Sequence, residues 1–259
     1  MFLFPTNLVI EQINESVFSV GDIMPYIRGT FKSMEELSDN VVNRLFSSSL
    51  LDEYSQSTKT FIVSQFAAVI LAIKKGPGLI RNLVNATRFD GNTFMDSWLL
   101  EMWFFANLCH GGVTLFNNNG KEFETWTESN VGILDITVFP ALPDTGVWFK
   151  PNKWNQGGFD GVFLDKTKGL IKFVQVNNKD MHLFNIEYFY YFLKALERDE
   201  LQKFNIITVE ILFLVDQKNL STFKIAEPSK PGMLTEFGWE SGKEKDKVQI
   251  VGIKGWSDE

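Results

Sequence analysis

The spacing of apolar residues along the chain changes once, from helical to strand-like. In the first part Met34, Leu37, Val41, Val42, Leu45 and Phe46 recur every three to four residues, the spacing of one helical face. The run Phe61 to Ile73 reads as a strongly apolar helix beginning near Ser57 or Thr58, stopped by Gly76-Pro77-Gly78 and restarted from Leu79 to Ala86. After a break at Asp90-Gly91-Asn92, another helix is predicted from Thr93 or Phe94 to Cys109, with Gly111-Gly112 as its C-terminal stop. Beyond it the runs Val113–Phe116, Phe123–Trp126, Ile133–Val138, Phe159–Leu164, Leu170–Asn177 and Ile206–Val215 are β-branched or aromatic and read as strands. Leu183–Arg198, with Ile186, Phe189, Tyr190, Leu193 and Leu196 at helical spacing, joins the last two and implies a partly parallel sheet. Glu227–Lys247, rich in Pro, Gly and charge, reads as a long loop, and Val248–Ile253 as an edge strand. The expected fold class is α/β: a helical region over 1–90, a mixed sheet flanked by helices over 91–226, and a loop and edge-strand tail over 227–259 packed on it.

Composition narrows this picture. A chain of 259 residues, 44% hydrophobic with 25 Phe and 7 Trp, has enough apolar surface for one or two domains with aromatic cores. A net charge of −7 and a pI near 5.0 argue against a protein that coats nucleic acid nonspecifically, which needs a broad cationic surface. Cys109 is the only cysteine, so no intramolecular disulfide forms, and a reducing, intracellular setting is expected. The apolar start Met1 to Pro5 has no basic stretch before it, and Glu11 interrupts it, so no signal peptide is read there. Phe66–Ile73 and Trp98–Ala106 are too short to span a bilayer, and no membrane partner is expected.

Several residues carry candidate chemistry. Glu101 sits between Leu100 and Met102 in an apolar helix, and such an acid needs either a solvated stripe or a partner in a cleft. Asp160 opens one predicted strand. Gln175 and Asn177, two apart near the end of the next, point to one face. In a simple hairpin register Asp160 and Gln175 meet at one end of the sheet. The plain alternative makes Asp160 a turn residue beside glycines and Gln175 a satisfied polar group. Between Val147 and Lys172, five lysines (Lys150, Lys153, Lys166, Lys168, Lys172) against Asp160 and Asp165 give a local +3, with Trp148 and Trp154 interleaved. That is either a face that stacks on unpaired bases or a solvated hairpin over core tryptophans. Gly76-Pro77-Gly78 reads as a helix break rather than a phosphate cradle, and His110 as a helix-end residue rather than a ligand.

Taken together, a helix bearing Glu and a hairpin bearing Asp and then Gln-x-Asn resemble the layout of the PD-(D/E)xK restriction-endonuclease-like superfamily. The wording is closer still. Gly76 to Arg81, Trp98 to Ala106 with His110-Gly111-Gly112, Phe149 to Asp160, Phe173 to Val176 and then His182 before an aromatic helix resemble the C-terminal region of crinkler and retrotransposon-hot-spot (RHS) proteins. The resemblance covers roughly residues 61–196. It implies an effector or element-encoded factor with a DNA endonuclease-like domain, acting in the nucleus and often joined to a P-loop ATPase. Glu101, Asp160 and Gln175 would hold Mg²⁺ or Mn²⁺ and His182 would be accessory; the local positive charge separately suggests Lys150, Lys153, Trp154 and Lys172 as the residues facing DNA. The chain departs from the pattern in carrying no P-loop motif and no visible crinkler leader, and in placing Asn177 where a nuclease has lysine. Lys179, about 6.6 Å further along an extended strand, would have to bend back to replace that charge. The alternatives that follow are a catalytically inactive pseudonuclease that binds nucleic acid or protein, and a structural partner of a separately encoded ATPase.

Overall fold

A computed structural model of the chain describes residues 46–50, 58–62, 65–87, 93–136, 138–152, 157–177, 181–199 and 202–255. They divide into two compact units, with the boundary between Ala106 and Asn107. The class is mixed α/β, with one large curled sheet and a few helices.

In the first unit β1 (Phe46–Leu50) and β2 (Thr58–Ile62) form an antiparallel hairpin in which Phe46 pairs with Ile62 and Leu50 with Thr58. This corrects the helical reading of Phe46 and of the start at Thr58; the rest of that first helical face, Met34 to Leu45, lies outside the described residues. Ser47 to Ser49 are indifferent helix formers, and Thr58, Thr60 and Ile62 are β-branched, so an extended backbone wins locally. Helix α1 (Gln65–Lys75) ends at Gly76, which takes φ of 77° and donates its N–H to Ala72 O at 2.8 Å. A left-handed residue after the last turn is the usual glycine stop. Pro77 then opens α2 (Pro77–Thr87), where its missing N–H costs nothing. In α3 (Thr93–Cys109) every residue from Leu99 to Ala106 is buried, as expected of a helix apolar on all sides.

The second unit holds β3 (Val113–Phe116), β4 (Glu122–Trp126), β5 (Val131–Leu134), β6 (Val147–Pro151), β7 (Gly161–Asp165), β8 (Leu170–Val176), β9 (Met181–His182), α4 (Ile186–Arg198), β10 (Thr208–Asp216), β11 (Lys224–Ile225), α5 (Glu244–Lys247) and β12 (Gln249–Ile253). Eight of these strands make one sheet in the order β4-β3-β12-β10-β8-β7-β6-β5. Strands β6, β7 and β8 are successively antiparallel, while β8, β10 and β12 are parallel, so α4 is the crossover anticipated between β8 and β10. On one face of the sheet Phe159, Val162, Leu164, Ile171, Phe173 and Phe213 pack with Phe189, Phe192, Leu193 and Leu196 of α4. The rings of Phe189 and Phe192 meet Phe173 edge-on, at 5.1 and 5.3 Å between centroids. The residues α4 presents recur at helical spacing, and those it covers alternate along β7 and β8.

Two points of the sequence reading need correction here. Val147–Pro151 is a strand, although a lysine and a terminal proline hid it among the flanking polar residues. The last strand is interior, paired with β10 on one side and β3 on the other, rather than an edge. The segment before it makes the long crossover that parallel pairing requires. That segment is a loop with its own core: Leu234 and Trp239 are buried, and the carboxylate of buried Glu244 accepts from the backbone N–H groups of Gly232 and, at 2.8 Å, of Gly242. No helix among the described residues is long and apolar enough to cross a membrane.

Two backbone donors converge on Glu244, so removing its carboxylate leaves both without a partner inside the fold. Glu244→Ala is expected to lower the stability of the full chain by about 2–4 kcal/mol in urea unfolding. A change below about 0.5 kcal/mol would show that the loop does not depend on it.

Candidate functional site

The candidate site is the C-terminal end of β8 and the head of β7. Gly161 pairs with Val174, and Asp160 N donates to Val174 O at 2.8 Å. One step further, the ladder changes character. Val176 N donates not to a backbone carbonyl but to Asp160 Oδ2, at 2.7 Å. The carboxylate thus continues the ladder where the chain turns away at Gly157-Gly158. Gly158 has φ of 89°, and a Cβ there would lie 2.6 Å from that of Tyr188, so glycine is required for the approach of α4.

Alternation along β8 puts Gln175 and Asn177 on the face of Phe173, the one α4 covers. Gln175 is half-buried. Asn177 is only 4% exposed; its N–H donates to Leu214 O at 2.8 Å and its side-chain Nδ2 lies 2.7 Å from His182 Nδ1. The His182 ring stands 5.5 Å from that of Phe213, and its strand β9 pairs with β11. Side chains five apart in sequence, one at the end of β8 and one on β9, are therefore joined. The expected juxtaposition of Asp160 with the end of β8 is found, and so is a link from the Asn177 position to His182, which sequence spacing did not suggest.

Of the remaining site residues, Lys150 and Lys172 lie elsewhere on the sheet. Glu101 belongs to the first unit and is 3% exposed, so it does not lie on a solvated stripe of α3. Lys150 is buried at 6% exposure on β6, and Trp148 is buried beside Trp126 and Phe163, with ring centroids 4.8 and 5.3 Å away. Trp148 is a core tryptophan, not a surface platform. The Lys172 ammonium is held 2.8 Å from Glu124 and 3.2 Å from Glu210, over the Trp126 ring. Its charge is therefore matched inside the protein. Lys153, Trp154 and Lys179 lie outside the described residues. The cluster around Lys172 was missed from sequence because Glu124 is remote from it. Lys172 and Glu210, on predicted neighbouring strands, were the available signal.

The donors at this strand end fit a hard divalent cation poorly. Such an ion takes several oxygens, carboxylates above all. Here one carboxylate, already bonded to Val176 N–H, stands with the amides of Gln175 and Asn177 and an imidazole. Among the described residues no three His, Cys, Asp or Glu side chains are grouped to hold a metal. What the arrangement does chemically is tie the head of β7 to the end of β8, and the end of β8 to β9, by charge-assisted and neutral hydrogen bonds.

Burial pushes the Cys109 thiol up to about 11; the nearby Glu128 carboxylate adds to this, and a hydrogen bond with the Val131 backbone opposes it. Since the thiolate is the nucleophile, Cys109 is built against reactivity. No family model matches the chain, and no curated protein or solved structure is similar to it.

Two outcomes are expected. Asp160→Ala, which strips Val176 N–H of its acceptor, should destabilise the chain by about 1–3 kcal/mol in denaturant melts. Asp160→Asn, which keeps an acceptor oxygen, should cost less than half of that; equal costs would mean that the bond to Val176 is not what Asp160 supplies. Alkylation of Cys109 at pH 8 should be slower than that of a free cysteine by about two orders of magnitude and climb with pH toward 11. A rate that levels off near pH 8.5 would contradict the buried, protonated thiol.

Proposed function

We propose that the segment from α3 to β10 is a restriction-endonuclease-like core of the crinkler and RHS type, and that in this chain it serves as a protein-binding module without phosphodiester cleavage. The order of elements supports the first half: a helix and, after β3 to β5, three successively antiparallel strands, then, past the short β9, a crossover helix and a parallel strand. One observation carries the second half. The position where a nuclease of this layout has its lysine is buried Asn177 joined to His182, and the neighbouring carboxylate is engaged with Val176 N–H. A neutral, internally bonded strand end stabilises a fold but does not supply the charge that phosphoryl chemistry needs.

A protein partner accords better with the surface than nucleic acid does. Lys150 is buried and Lys172 is flanked by two glutamates. Beside the strand end, Met181, Leu183 and Tyr191 are each at least 60% exposed, and Tyr188 is 40% exposed. Tyr188 and Tyr191, three apart on α4, share a face, and exposed aromatic and methionine side chains are enriched where proteins meet. A separately encoded P-loop ATPase, counterpart of the domain to which the resembled proteins are often joined, is the partner to test first.

A second reading, a Mg²⁺- or Mn²⁺-dependent DNA endonuclease, is favoured by the placement of Asp160 against the end of β8 beside Gln175. One assay separates the two. With supercoiled plasmid and either metal, the wild-type chain is expected to leave the DNA uncut and to give no gel shift at physiological salt. Nicking by the wild type that disappears in Asp160→Asn, a variant that keeps the fold, would replace the binding reading with the catalytic one.

A further inference from the structure

Residues 181–183 lie outside the large sheet and pair on one side only. The register sets Met181 against Lys224 and His182 against Ile225, and the His182 carbonyl accepts from Ala226 N–H at 2.9 Å. Backbone groups of successive strand residues point to opposite sides, so those of Met181 and Leu183 point away from β11. Among the described residues nothing bonds to the backbone of Leu183. The side chains sort in the same way. His182 and Phe184 turn inward, with rings 5.5 and 6.0 Å from Phe213, while Met181 and Leu183 share the outward face, each 63% exposed. An apolar, uncharged edge of this kind is a template for another strand. The edge strand β4 of the large sheet is guarded instead, by Glu122 and Glu124 and by a shift of register.

Two features say what the edge fits. The first is its size. Even with Tyr188 and Tyr191 included, the exposed apolar side chains offer roughly 450 Å², about half of the ~800 Å² that each partner buries in a stable complex. A second copy of the chain docked here would not hold, whereas an extended segment adds main-chain hydrogen bonds to a narrow strip of side chains and needs no more. The second feature is charge. Lys224 stands beside Met181 on the outward face, is exposed, and forms no ion pair among the described residues. A strand added at the open edge would lie two strands, about 10 Å, from β11, a gap that a lysine and a glutamate side chain bridge together.

We propose that the edge at 181–183 takes up an extended segment of a partner protein as an added strand, with apolar residues against Met181 and Leu183 and an acidic residue against Lys224. This rests on the protein-binding reading above and says which part of a partner is held. Main-chain bonds to Met181 and Leu183 supply the grip, and Lys224 selects for the acid.

Short random peptides displayed on phage and selected on the full chain test this. The recovered peptides are expected to alternate apolar and polar residues and to carry an acid. Selection on Lys224→Glu is expected to bring up a basic residue in its place; an unchanged consensus would overturn the role of Lys224. Leu183→Lys, which guards the edge with a charge, should weaken the best peptide about ten-fold. N-methylation of one alternate set of peptide amides, but not of the other, should do the same, because only one set faces the edge. Both variants alter exposed side chains, and their urea midpoints are expected to match the wild type. Peptides that bind Leu183→Lys as tightly as the wild type would overturn this edge as the site and leave the protein-binding reading standing. Indifference to N-methylation would overturn strand addition. Recovery of no peptide would overturn the proposal alone, since the plasmid assay decides separately whether the chain cuts DNA.

Discussion

The fold depends on one short link. Residues 127–130 run from β4, at one edge of the eight-stranded sheet, to β5, at the other. Fully extended, that link spans about 17 Å, whereas the edges of a flat sheet of this size stand about 34 Å apart. The sheet can satisfy the link only by rolling. Ser129 N, in the link, donates to Leu108 O at 2.9 Å and pins it to the end of α3. Rolling then decides which side chains meet. It sets Trp126 against Trp148 and Glu124 against Lys172, and turns β4 from an ordinary edge into a cover over the face opposite α4.

The candidate site owes its position to the central part of the same sheet. The β7–β8 hairpin brings Asp160 to the end of β8, and the α4 crossover keeps β10 alongside to hold Asn177 through Leu214. Packing of Phe173 against Phe189 and Phe192 fixes the face on which Gln175 and Asn177 emerge. Those two amides therefore lie on the helix-covered side, which suits hydrogen bonds that stiffen the strand ends. A dense aromatic layer on one face and the Lys172 ion pairs with Glu124 and Glu210 on the other leave the exposed apolar residues of β9 and α4 as the outward feature nearest the site.

Much of this was legible in the letters. The alternation of Ile171 and Phe173 with Lys172 and Val174, and the spacing of Phe189, Leu193 and Leu196, encode the hairpin and crossover directly, because short-range periodicity reports which side is buried. The juxtaposition of Asp160 with β8 followed from the tight turn at Lys166 to Gly169. What stayed hidden depends on contacts remote in sequence. Val147, Trp148 and Phe149 are strand formers, but Lys150 and Pro151 cut the run short, and its place is set by pairing with β5 and β7. Nothing near Glu124 points to Lys172, because only the rolled sheet makes them neighbours. A core place for Trp148 is one of the two readings of its stretch, whereas the burial of Lys150 has no local signal, since a lysine in a polar stretch looks exposed. Glu244 lay in a segment whose glycines and charges resemble solvent-facing loop, although its carboxylate organises that loop from within.

Zero-length carbodiimide coupling tests the rolled sheet most directly, since it joins a carboxylate to an amine only when the two are in contact. Peptide mapping of the treated chain should recover Glu124 joined to Lys172, alongside Glu210 joined to the same lysine. Recovery of the Glu210 product alone would mean that β4 remains a distant edge and that the sheet does not close on itself.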